Sequence, residues 1–504
     1  MCRASEIEMN SWATLVNESA WGWENQYLYM KKSEWWQDQT EANKELSNQV
    51  TDASLHGTDG PVGYSYPSFV YPQIQYWVPT FANLGIDTRD PAGGETWGAY
   101  TAMSALNNSL GASRRSYAKT GYLDNLAAGN DNLVVLTGYQ ATRIVFDGTT
   151  ATGVEFAADA TSGTYTVNAN SEVILSAGVI GSPQLLQVSG VGPAATLEAA
   201  GVDVIVDLPG VGAHLMDHLS GELVYSTTAE TTGDGVETNT TIADAQFALW
   251  QENDPDSLYT APNNNIAYVN LSTILGGDDA ATTFIDELRA NMSDYMASYS
   301  TDSTIQAGYQ ATYEREIDDI YPSAVGQVEI LMVNTGVYGA YGDGNYIGVQ
   351  AAIQHPLSRG FLTITSDSTF DAPNIDPGYL THPADIRILR AGFQYARTVA
   401  QTEPLATILG TELNPGTGVQ TDDEWDAWIR ASVSTEYHPS SSCSMIPQEQ
   451  GGCVDTSMRV YGTTNLRVVD SSIVPIGMSA HMTAPLYGVA EHVRLTLIAF
   501  LTST

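Results

Sequence analysis

The stretch Val173-Ile174-Leu175-Ser176-Ala177-Gly178-Val179-Ile180-Gly181-Ser182-Pro183-Gln184-Leu185-Leu186-Gln187-Val188 decides how the chain folds. Its first three residues are apolar with no polar alternation, the pattern of a short strand buried on both faces. Ser176-Ala177-Gly178 follows, and then the helix-like Ser182 to Val188. Ser182 and Pro183 suit a helix start, the serine as cap and the proline in the first turn. A buried strand, a small-residue turn and a helix together form the unit by which a parallel α/β sheet brings backbone up to a ligand.

Working outward, Ala141 to Phe146, Thr152 to Phe156 and Thr164 to Val167 carry strand signals, with Asp147-Gly148 as a turn. They predict an antiparallel meander. Before it, apolar Leu133 to Leu136, with β-branched Val134 and Val135 at its centre, predicts another strand. Residues 1–60 read as short helices punctuated by Gly and Asn. From about 223 to 454 the chain is richer in Thr, Asp, Asn and Tyr with long connections, which reads as a second lobe, a sheet with helices on one side. Leu466 to Val469 then predicts a second short buried strand, followed by Asp470 and an apolar helix from about Ala484 to Leu501.

Composition narrows the function. The 504 residues include 58 acidic and 19 basic ones, a net charge of −39. Such a field repels phosphate backbones and anionic lipid, so neither nucleic acid nor a membrane is expected as a partner. No apolar run is long enough to span a bilayer. Asn-X-Ser/Thr sequons begin at Asn17, Asn107, Asn239, Asn270 and Asn291 and fit a glycosylated, extracellular protein. The three cysteines form no metal or redox motif. Cys443 and Cys453 flank a turn-like segment and are either a disulfide or two buried thiols, with Cys2 left over.

Three groups of motifs carry a resemblance to a known family. Ser176 to Pro193 continues through Leu197, Gly201 and Leu208-Pro-Gly-Val-Gly212 to Asp217-His218. Further on stand Pro356-Leu-Ser-Arg-Gly360, Asn374-Ile-Asp-Pro377 and Tyr437-His438-Pro-Ser-Ser-Ser-Cys-Ser-Met445. Last come Arg459-Val-Tyr-Gly462, Asn465 to Pro475 and Ser479-Ala-His-Met-Thr-Ala-Pro485. In this order they resemble the glucose–methanol–choline (GMC) oxidoreductases, in particular the glucose oxidase and aryl-alcohol oxidase branch. Val179 and His214 depart from the usual residues.

The resemblance implies an α/β (α+β) fold: a Rossmann-like FAD-binding domain in residues 1–222 and 455–504, and a substrate domain on an antiparallel sheet in 223–454. It implies non-covalent FAD and oxidation of a small-molecule alcohol to a carbonyl, with oxygen or a quinone as acceptor. Hydride leaves the alcohol carbon while the hydroxyl loses a proton, and an imidazole suits that proton because its pKa lies near working pH. By resemblance His438 is the principal base, His481 its partner, and Glu329 the carboxylate that fixes the tautomer of His481. Ala141 falls where the family meets the adenine, Asp470 and Ser471 near the pyrophosphate and ribityl chain, and Met482 and Thr483 toward the pyrimidine ring. Glucose is not the expected substrate, because Ser434 and Glu436 stand where sugar-binding residues are usual.

Other chemistries are weaker. His214 and His218 are four apart and could share a helical face, but no third ligand is obvious, so no metal is expected. No Gly-X-Ser-X-Gly elbow accompanies Ser441, which disfavours a serine hydrolase. The Gly-X-Gly-X-X-Gly fingerprint that the family carries near its N-terminus is not found, so the Rossmann-like domain is expected to be incomplete and FAD binding impaired. Two alternatives therefore stand beside the oxidase: a truncated, non-catalytic fragment, and a hydroxynitrile lyase of the same fold.

Overall fold

The computed structural model of the chain describes residues 3–127, 130, 132–336, 340–342 and 344–503. Three helices open it, α1 (Glu6–Val16), α2 (Trp23–Ser33) and α3 (Glu41–Ser47), matching the punctuated helical reading. Ser5 and Glu8 form a capping box at the start of α1, and Asn17 and Asn48 end α1 and α3 in the left-handed region. Strand β1 (Glu34–Gln37) pairs in parallel with β2 (Val62–Ser65).

The largest sheet uses β3 (Gly98–Thr101), from well before residue 223, as its edge. The meander β4 (Gln140–Asp147), β5 (Thr150–Ala157) and β6 (Tyr165–Asn168) pairs antiparallel as expected. Strand β7 (Val173–Leu175) leads into helix α4 (Gly178–Val188). Then come β8 (Leu219–Thr227), β9 (Asn265–Val269), β10 (Val328–Val333), β11 (Tyr346–Ile353), helix α5 (Pro383–Ala400), β12 (Leu409–Asn414) and β13 (Ser434–Thr435). The sheet runs β12-β8-β11-β10-β9-β3, with β13 also on β8, and every pairing is antiparallel. Helix α5 lies across it. Gly392 permits the close approach, since a Cβ there would meet Val328 at 3.0 Å.

Strand β14 (Leu466–Val468) pairs in parallel with β7, so the two short apolar runs are neighbours. The final helix, α6 (Thr483–Ser503), packs on α2, and a Cβ on Gly488 would meet the Met30 side chain at 2.7 Å. Cys443 and Cys453 form a disulfide with Cα atoms 4.9 Å apart. Cys2 lies outside the described residues.

Three expectations are corrected. Helix α4 starts at Gly178 rather than at Ser182: Gly178 takes φ +81°, which turns the chain from strand to helix without a Cβ penalty. Ser182 is interior, its hydroxyl donating to Asp470 at 2.6 Å, while Gly178 N donates to the same carboxylate oxygen at 3.0 Å. The N-terminal anchor is thus a residue 288 positions away, which local reading cannot see. Strand β7 is not buried on both faces, because Ile174 is 43% exposed between two buried neighbours. Leu133 to Leu136 form no strand, and Val134 is 86% exposed. An apolar run becomes a strand only when a second edge takes up its backbone hydrogen bonds, and no described strand lies alongside it.

Candidate active site

Three anchored segments converge on one cavity. The first is β10, which holds Glu329 in register with Tyr268 of β9 and Ala352 of β11. Its side chain is 1% exposed, and its two oxygens lie 2.9 and 3.0 Å from His481 Nε2. Burial alone would raise the Glu329 pKa, but the charge and hydrogen bond of His481 outweigh it and hold the carboxyl below its ordinary range. Glu329 is therefore a buried, ionised partner of His481 rather than a solvated strand charge.

The second is the loop before α6, which carries His481. Ser479 donates from N and Oγ to Glu8 Oε1 at 2.5 and 2.7 Å, and Gly477 N donates to Glu316 Oε1 at 3.3 Å. Between those carboxylates sits His355, 2.9 Å from Glu8 and 3.1 Å from Glu316, the latter an ion pair rather than an aligned hydrogen bond. All three side chains are fully buried. Burial opposes a charge on His355, yet Glu316 and Glu8 together push it up to about 9, so the imidazolium is the clasp that holds the loop.

The third is the segment after β13. Glu436 N donates to the His218 carbonyl at 2.9 Å, and His438 N donates to Asp217 Oδ1 at 3.0 Å. Asp217 Oδ2 also accepts from Thr435 Oγ1 at 2.5 Å and Tyr379 Oη at 2.6 Å. Tyr437, at φ 61° and 84% exposed, makes the reversal between the largely covered side chains of Glu436 and His438.

The His438 and His481 rings lie 4.9 Å apart, tilted by 48°. His438 Nδ1 is 3.2 Å from His218 Nδ1. The Gln354 backbone carbonyl also faces the His218 ring and favours an N–H there. With the two Nδ1 atoms facing each other, a proton on His218 Nε2 and one on His438 Nδ1 satisfy the imidazole pair. His438 Nε2 is then a bare lone pair. Burial lowers the His438 pKa and, with the neighbouring His438 ring, lowers that of His218 well below its ordinary value, which favours the neutral form of both. Burial and then the Glu329 charge push Glu436 well above the usual carboxylate range.

His438 and His481 line a cavity of about 770 Å³, together with Phe247, Trp250, Tyr259 and Tyr487. A second cavity of about 360 Å³, lined by Val469, Asp470, Ser471 and α6 side chains, shares Thr483 and Tyr487 with the first. The two adjoin as one elongated, largely apolar cleft. It leads from the loop after β14, beside the N-terminus of α4, to the histidine pair. The residues present therefore fit the ring and ribityl portions of a flavin cofactor. Asp470 contributes differently from expectation: its carboxylate is spent on Gly178, Ser182 and Ser472. Met482 is buried and lines neither cavity, nor does Ala141, whose carbonyl accepts from Thr369.

Sequence reasoning missed His218 and Glu436 as members of the site. His218 was considered only beside His214. His214 is buried in a left-handed turn, where the Gly451 backbone faces its ring and, among the described residues, neither ring nitrogen makes an aligned hydrogen bond. The spacing of Glu436 and His438 carried no usable signal, because Tyr437 between them is left-handed and the alternation of extended chain does not apply. Ser441 donates to the Val474 carbonyl at 2.6 Å and is buried, which leaves it no nucleophilic role.

Comparison with known proteins bears on the chain as a whole. Two family models, both described as GMC oxidoreductase, match residues 1–220 and 356–490. The GMC oxidoreductase family protein Mala s 12 of Malassezia sympodialis is 38% identical over 498 residues, 97% of this chain and 76% of that protein. Among solved structures, an FAD-dependent oxidoreductase from Chaetomium thermophilum superposes with a TM-score of 0.90 at 27% identity, covering 99% of this chain and 84% of that one. A fungal aryl-alcohol oxidase superposes with a TM-score of 0.87, also at 27% identity and the same coverage.

Proposed function

Because the chain belongs to the GMC oxidoreductase family, we propose that it oxidises an alcohol bearing an aromatic or apolar group to the carbonyl, with His438 as the proton acceptor. The observation that carries this reading is the histidine pair: two rings 4.9 Å apart at a cavity, one braced by a buried carboxylate. His438 Nε2 takes the hydroxyl proton, and the charge that results is delocalised over a ring whose Nδ1–H stays bonded to His218. His481 is oriented by Glu329 through Nε2 and offers its other edge to the substrate oxygen, fixing which lone pair faces His438. Phe247, Trp250 and Tyr259 supply the apolar wall against which an aromatic ring would pack. Bound in the adjoining cleft, FAD would supply the hydride acceptor that an alcohol oxidation requires.

The test is in two steps. Titration with FAD, followed by flavin absorbance after gel filtration, asks whether the chain takes up its cofactor; a colourless protein would support the non-catalytic alternative. Loaded protein is then given a benzylic alcohol. Aldehyde formed with oxygen consumed supports the reading, whereas loaded protein that leaves alcohols untouched and releases cyanide from a cyanohydrin would overturn it.

A further inference from the structure

The side of His438 that faces away from the proposed substrate raises a separate question. His218 Nδ1 and His438 Nδ1 are 3.2 Å apart, and Glu436 Oε2 lies 3.8 Å from the first and 3.6 Å from the second. Three nitrogen and oxygen donors bonded to one tetrahedral zinc at about 2.0–2.1 Å stand roughly 3.3 Å from one another. The three atoms thus already form the base of a tetrahedron slightly wider than zinc requires. We propose that Nδ1 of His218, Nδ1 of His438 and Oε2 of Glu436 form a site for one divalent cation of the zinc class, and that filling it disables His438 as a proton acceptor.

The surroundings are those of a built site. Glu436 divides its carboxylate: Oε1 accepts from Gln350 Nε2 at 2.9 Å, while Oε2 faces the imidazoles and accepts a long hydrogen bond from Gln354 Nε2 at 3.5 Å. The Gln354 carbonyl faces the His218 ring, the kind of outer partner that orients a ligating histidine. Asp217 and the His218 carbonyl hold the backbone of the segment that carries the other two donors. His438, one of the three donors, also lines the cavity, so an ion can approach along that ring. Two imidazoles and one carboxylate suit zinc, cobalt or copper better than calcium or magnesium. Glu329, Glu436 and His481 also converge, but His481 Nε2 is already held by both Glu329 oxygens, which an ion there would have to displace.

The consequence for His438 follows from its two nitrogens. An ion at Nδ1 takes the lone pair of that nitrogen, so the neutral ring's one proton is relocated through solvent to Nε2, which then has no lone pair to accept another. This second half rests on the proposed alcohol oxidation; the binding itself does not.

The experiment uses the full chain, stripped with chelator, titrated with Zn²⁺ and separately with Co²⁺, then desalted. The expected result is one retained equivalent of zinc and, with cobalt, the intense visible bands of a four-coordinate ion without a thiolate charge-transfer band. His218→Ala should weaken zinc at least tenfold, while Glu329→Gln should keep it within about threefold. Glu436→Gln, which preserves shape, replaces His218→Ala if that variant does not fold. Zinc lost on desalting, six-coordinate cobalt, or retention undiminished by both His218→Ala and Glu436→Gln would mean surface carboxylates only and would overturn the site. Loss on Glu329→Gln would overturn it in favour of the other cluster. In flavin-loaded enzyme, zinc should abolish turnover and chelator restore it. Turnover unaffected by a retained equivalent would refute the effect on His438, and protein that binds zinc but never oxidises alcohol would locate the failure in the proposed function.

Discussion

Two buried histidine–carboxylate clusters stand behind the same site and do opposite work. His355 is enclosed, with Glu8 on one nitrogen and Glu316 on the other, and is pushed up to about 9. His438, on the cavity wall, has its pKa lowered by burial and has one nitrogen left for a ligand. The comparison teaches that burial does not by itself decide whether a histidine is charged. The carboxylates that face it decide, and the number of nitrogens they occupy separates a clasp from a base.

The sharpest way to break the comparison is to delete each histidine in turn. His438→Ala is expected to lower kcat/KM for an alcohol by about 10²–10⁴-fold with little change in thermal stability; an equal fall in His355→Gln protein that is still folded would erase the distinction. His355→Gln should instead cost about 3–5 kcal/mol in urea unfolding, because it leaves Glu8 and Glu316 buried without their counter-charge.

The pH dependence of stability sharpens the same point. His355 binds its proton more tightly folded than unfolded, so its contribution is complete below about pH 6.5 and is lost as pH rises through about 9. Glu8 is shifted down, first against burial and then by His355, so its share is present above about pH 4.5 and lost on acidification. Unfolding free energy should therefore peak between these limits and fall by on the order of 3 kcal/mol toward pH 9, a fall absent from His355→Gln. The smallest effect is expected from Glu329→Gln. It leaves the fold intact, lowers kcat/KM roughly tenfold by loosening His481, and moves the acid limb of the profile to lower pH, since the Glu329 charge raises the His438 pKa.

Much of this was legible in the chain itself, and the remainder has identifiable causes. The meander at residues 140–168, the pairing-competent runs at 173–175 and 466–468, and the pair His438 and His481 are local patterns or motifs, so sequence order suffices to find them. Glu329 could be named but not weighed, because its burial comes from neighbours on β9 and β11. The role of Asp470 in anchoring α4, and of His218 and Glu436 beside His438, depend on contacts across 82 to 292 positions. No periodicity encodes those. The run at 133–136 shows the converse: apolar residues state a preference, and a strand needs a partner to honour it.

The most direct test of the central claim is the tautomer of His438, and with only eight histidines in the chain, ¹⁵N-labelled imidazoles can be assigned by substitution. At pH 7 the account requires His438 to be neutral, with its proton on Nδ1 and Nε2 bare, while both nitrogens of His355 are protonated. A His438 found with its proton on Nε2, or doubly protonated, would have no lone pair for the alcohol and would contradict the mechanism.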